Sequence, residues 1–93
     1  MNLAAVAQAV REGKTVSFTA SGNSMTPRIR NGQMVSVSPI MSAPKVGDVV
    51  LAKVRGRYWL HKISAEKNGR FQISNNKGHI NGWASEIVGE TDL

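Results

Sequence analysis

The sequence predicts a mainly β fold carrying one short N-terminal α-helix, and three observations predict it. Apolar residues recur at helical spacing only ahead of Gly13. Beyond it the pattern turns to period two, in short runs rich in β-branched residues. Those runs are separated by turn pairs, Asn31-Gly32, Gly47-Asp48, Arg55-Gly56, Asn68-Gly69 and Lys77-Gly78, of which Asn68-Gly69 is the strongest hairpin signal.

The elements follow in order. Asn2 caps a helix over residues 3–12, whose Leu3, Val6, Ala7 and Val10 form one apolar stripe, and Gly13 falls where a left-handed stop is expected. The β body spans 15–90, with strands expected at Thr15–Ala20, Met34–Ser38, Asp48–Val54, Tyr58–Ala65, Arg70–Ser74 and Ile87–Glu90. Ile80 to Trp83 reads as a loop in which Trp83 is a packing anchor. Met25, Met34 and Met41 read as core or rim filler.

Ninety-three residues, 41% of them hydrophobic, suit one compact domain over 1–93. Cys is absent, which excludes structural disulfides, Cys-ligated zinc, iron–sulfur clusters and thiol nucleophiles. No apolar run reaches the ~18–20 residues of a membrane span, and the start lacks a secretory leader pattern, so a cytoplasmic location is expected. Twelve Lys and Arg against six Asp and Glu leave a formal charge of +6. The stretch from Lys53 to Lys77, with seven basic residues and only Glu66 as an acid, carries that excess. A nucleic acid or acidic protein surface is therefore a conceivable partner, although only Tyr58 lies near enough to interleave with the bases of the 53–57 hairpin.

The chemistry must come from Ser, His, Lys or carboxylates. Ser21-Gly22-Asn23-Ser24-Met25-Thr26-Pro27 joins a strand end to a Pro turn, a junction that exposes a hydroxyl and orients nearby backbone N–H groups. A serine hydroxyl needs a base in hydrogen-bond reach. His61 and Lys62 both qualify by type, but strand alternation puts Trp59, His61 and Ile63 on one face and Tyr58, Leu60 and Lys62 on the other. Only one of them can face Ser24. Asp48 reads as a turn residue bonding backbone amides. His79 reads as a loop contact, and two histidines so far apart make a poor metal site.

The Ser21 to Met25 box, the Gly47-Asp48-Val49-Val50 segment and His61-Lys62-Ile63, in that order, resemble the LexA, UmuD, phage-repressor and signal peptidase superfamily of serine peptidases. The resemblance covers about residues 15–90 and implies a LexA/signal-peptidase-like β-rich catalytic domain. The 37-residue separation of Ser24 and His61 is similar to the LexA spacing, where Lys is the base, while histidine there is similar to the archaeal and endoplasmic-reticulum signal peptidases.

The resemblance implies a serine endopeptidase with Ser24 as nucleophile and His61 as general base, needing no metal or cofactor. Backbone at Ser24 and Asn23 would form an oxyanion site, and Met25 would line a substrate groove. Where the histidine-type enzymes carry an acid, this chain has His79, so the group that orients the imidazole is missing or is a backbone carbonyl, Asn75 or Asn76. A protein or peptide substrate is implied, bound as an added strand. So is a homodimer, with Ile87-Val88-Gly89-Glu90 as a pairable edge. The 23 residues ahead of Ser24 hold no helix-turn-helix and no Ala-Gly or Cys-Gly bond, so the chain resembles the small stand-alone phage members, acting in trans. The alternative is a non-catalytic module of the same fold that binds a protein or nucleic acid.

Overall fold

The structure, a computed structural model, describes residues 2–93. One helix, α1 (Leu3–Arg11), precedes seven strands: β1 (Val16–Thr19), β2 (Met34–Ser38), β3 (Val49–Val54), β4 (Arg57–Lys67), β5 (Arg70–Ser74), β6 (Ile80–Trp83) and β7 (Glu86–Thr91). All pairings are antiparallel, in the order β1-β2-β7-β3-β4-β5-β6.

Asn2 caps α1 as expected, its Oδ1 accepting the Ala4 N–H at 2.8 Å. At the other end Gly13, with φ at 92°, donates to the Val10 carbonyl while Lys14 donates to that of Ala9. These two bonds satisfy carbonyls that the last turn leaves free. Val6, Ala7 and Val10 press on one face of the sheet and form a core with Val35, Val37, Val49 and Leu51. A second core, Val50, Ala52, Val54, Ile63 and Ile73, lies on the other face of β3, β4 and β5. Strand β3 is therefore covered on both sides, which is why its sequence is an almost unbroken apolar run.

The sheet departs from the expected pattern in four places. Strand β4 runs two residues past Ala65, through a register shift that leaves Ser64 unpaired between Ile63↔Ile73 and Ala65↔Gln72. Residues Ile80–Trp83 are a strand and not a loop, paired with β5, so Trp83 is an edge-strand residue. Strand β7 pairs with both β2 and β3, so it offers no free edge for dimerisation; the outer strands are β1 and β6. Met34 and Met41, 62% and 86% exposed, fill no core, whereas Met25 is buried. No helix among the described residues is long and apolar enough to cross a membrane.

One consequence of the pairing positions the site. Strand β4 is bonded to β3 over Arg57 to Lys62 and to β5 only from Lys62 onward. Its first half thus keeps one unpaired edge, and β1, bonded to β2 alone, keeps another.

Candidate active site

Residues 20–33 form the connection that carries Ser24. Met25 and Ile29 plug it into the core, 3% and 4% exposed, and the Ile29 N–H donates to the Met25 carbonyl at 3.0 Å. Gly22 N–H donates to Asn31 Oδ1 at 2.9 Å, tying the two ends of the loop together. From across the sheet, Asn76 donates its backbone N–H to the Ser24 carbonyl at 2.8 Å and its Nδ2 to the Met25 carbonyl at 3.2 Å. The hydroxyl is held on an anchored backbone, half-buried, and not on a free loop.

His61 projects from β4 on the face that alternation predicts, in register with Val50 and beside Trp59, whose ring stacks on the imidazole at 5.3 Å and 25°. Its Nε2 lies 3.1 Å from Ser24 Oγ. Its Nδ1 lies 2.6 Å from Asn81 Oδ1. An amide oxygen only accepts, so Nδ1 carries the ring proton and donates to Asn81, leaving the Nε2 lone pair for the Ser24 hydroxyl. Burial is the main influence on the imidazole and holds its pKa below the ordinary value; the Asn81 hydrogen bond pulls the other way, and the charge of His79 adds to the lowering. Lys62 points to the opposite face, in register with Val49 and Ser74, and makes no hydrogen bond to Ser24.

Asn81 corrects the sequence reading. Asn75 and Asn76, the side chains expected to orient the base, are used elsewhere: Asn75 Oδ1 accepts the N–H groups of Lys77 and His79, and Asn76 braces the Ser24 loop. Asn81 reaches His61 because the register between β5 and β6 shifts, pairing Ile73 with Gly82 but Ser74 with Ile80. The extra residue is Asn81, and a bulge of this kind re-aims its side chain. The Nδ2 of Asn81 is buried without a hydrogen-bond partner, a placement that costs stability. A signal was present in the sequence, since Ile80-Asn81-Gly82-Trp83 follows a Lys77-Gly78 turn and sets a β-branched and an aromatic residue around a glycine of the kind that marks bulges in strands.

Among the described residues, the backbone N–H groups of Asn23, Ser24 and Met25 donate to no acceptor within the chain. Asn23 uses its carbonyl to accept from Thr26 N–H and Oγ1, while Met25 lines the cleft next to Ser24. That cleft, about 250 Å³, lies between the free edge of β1 and the free edge of the first half of β4, with Leu3, Phe18, Ile29 and Leu60 among its walls. Asp48 sits in the expected turn, its Oδ2 accepting Lys45 N–H at 3.0 Å. No three His, Asp or Glu side chains among the described residues gather as metal ligands.

Neither a curated protein nor a solved structure matches the chain. A family model described as Peptidase S24-like matches residues 2–88, which include Ser24, His61 and Asn81. The chain therefore belongs to the peptidase S24-like family.

Proposed function

We propose that the chain is a serine endopeptidase that cleaves a protein or peptide substrate in trans, with Ser24 as nucleophile, His61 as general base and Asn81 as the acceptor that orients the base. The observation that carries this reading is the continuous line of hydrogen bonds from Ser24 Oγ through His61 to Asn81, opening into the cleft. A peptide extends the sheet by filling the gap between the free edges of β1 and β4, so its backbone amides gain partners on both sides.

In the reaction Ser24 Oγ attacks the scissile carbonyl carbon as its proton passes to His61 Nε2. The carbonyl becomes an oxyanion facing the unpaired N–H groups at Ser24 and its neighbours, where one donor contributes about 3–4 kcal/mol to the transition state. His61 then hands the proton to the departing amine. The acyl-enzyme is released by water activated at the same imidazole. Asn81 keeps the ring in the productive tautomer throughout, but as a neutral amide it stabilises the imidazolium less than a carboxylate would. For the homodimer that the resemblance implies, the interior position of β7 leaves the β6 edge as the outer strand edge outside the cleft.

The test is mass spectrometry of a cellular extract incubated with the wild-type chain or with Ser24→Ala. Cleavage products present only with the wild type support the peptidase. Identical peptide profiles, with retained capture of a partner, support the binding module instead.

A further inference from the structure

We propose that the cleft selects peptides bearing an acidic side chain four residues from the scissile bond, read by Arg57. This rests on the peptidase reading and names its substrate class. Arg57, Trp59 and His61 project from one face of β4 at alternate positions, with the Arg57 guanidinium 5.5 Å from the Trp59 ring and that ring 5.3 Å from the imidazole. Alternate residues of a strand are about 6.6 Å apart, and a strand added beside β4 repeats that spacing. When the reacting residue lies at His61, the second residue along meets Trp59 and the fourth meets Arg57.

Charge selects what can sit there. The ion pairs among the described residues are Arg11 with Glu86 and Lys14 with Glu12, so Arg57 has no carboxylate of its own. Arg55, at the tip of the same hairpin, adds positive charge at the Arg57 end of β4. A substrate carboxylate can take both N–H groups of the Arg57 fork. A nucleic acid fits less well, because bases stack on free aromatic faces. Trp59 is flanked by Arg57 and His61, and the Tyr58 ring already carries Arg11 and Lys53, at 5.4 and 5.5 Å.

The experiment digests a random synthetic decapeptide mixture with the wild-type chain, Ser24→Ala and Arg57→Glu, and sequences the products by mass spectrometry. Ser24-dependent products should be enriched about fivefold in Asp or Glu at the fourth residue on one side of the cut, turning to Lys or Arg in Arg57→Glu. Ser24-dependent cleavage without that enrichment, or with the same enrichment in Arg57→Glu, overturns the inference while the peptidase stands. If nothing is cleaved, the peptidase reading fails and anisotropy of fluorescein-labelled probes decides. Tighter binding of Glu-containing than Gln-containing decapeptides, lost in Arg57→Glu, supports the acidic preference. Equal binding of the two, or tighter binding of a decamer of thymidylate, overturns it. Arg57 is exposed, so circular dichroism of Arg57→Glu should match the wild type.

Discussion

His61 and Asn81 are joined by a 2.6 Å hydrogen bond between Nδ1 and Oδ1, so the imidazole at the candidate site is oriented by a neutral amide. In a Ser-His-Asp triad a carboxylate fills this place and also balances the positive charge that forms on the ring. Here the ring orientation is supplied without the charge.

Replacing Asn81 by Asp restores that charge. The carboxylate should raise the His61 pKa above its wild-type value, and it should remove the unpartnered Nδ2. Proton NMR titration of the imidazole checks the shift whether or not a substrate is known. Asn81→Ala should free the ring to rotate and lower kcat by roughly tenfold to a hundredfold, with KM little changed. An unchanged His61 titration in Asn81→Asp would show that the two side chains do not meet in solution.

Of the two basic side chains at the centre of β4, only His61 reaches Ser24. His61→Ala should abolish Ser24-dependent cleavage, a loss of about 10²–10⁴-fold for a general base. Lys62→Ala should keep most of the activity, because that side chain stands on the other face of the strand. His61→Lys should retain little, since the ring stacked on Trp59 and bonded to Asn81 leaves no equivalent seat for an ammonium. Full turnover in His61→Ala would reject the arrangement.

Activity should rise with pH through one ionisation below the ~6.5 of a free imidazole, because burial disfavours the charged ring and the neutral ring is the base. Stability should move in the same direction. The folded-state pKa is below the unfolded one, so in the window between them the unfolded chain binds more protons. The contribution of neutral His61 is fully present above ~6.5 and is lost as pH falls through the lower folded value. Thermal melts of wild type and His61→Gln between pH 7.5 and 5 check this: the wild type should lose more stability on acidification than the variant.

Leu51 is fully buried at 0% exposure, between α1 and the sheet, where truncation leaves a cavity that the packed neighbours cannot fill. Leu51→Ala should cost about 2–5 kcal/mol. In a chain of this size each kcal/mol lowers the melting temperature by about 4–8 °C. Met41→Ala, at a position 86% exposed, should change stability by less than about 0.5 kcal/mol. A similar melting temperature for the two variants would contradict the packing described around Leu51.

Much of the molecule was legible because it depends on local patterns. The helix and its glycine stop, the Asn68-Gly69 hairpin and the central strands follow from periodicity and turn chemistry that act over a few residues. The face occupied by His61, and so the choice of His61 over Lys62 as the side chain facing Ser24, follows from the two-residue repeat of a strand.

The rest was decided by the packing of one strand on another. A bulge shifts side chains by one residue and leaves almost no mark in the sequence, so the sequence pattern reads Asn81 as part of a loop although it is the residue that bonds His61. Which strands end a sheet is equally non-local. The last strand, β7, lies between β2 and β3, while β1 and the first half of β4 each keep one unpaired edge, and the cleft lies between them. Residue types and their alternation along the chain determined that His61, and not Lys62, can face the Ser24 hydroxyl. Only the register and order of the strands decided which amide bonds the His61 ring and where the open cleft lies, because cross-strand hydrogen bonds form between segments the sequence keeps far apart.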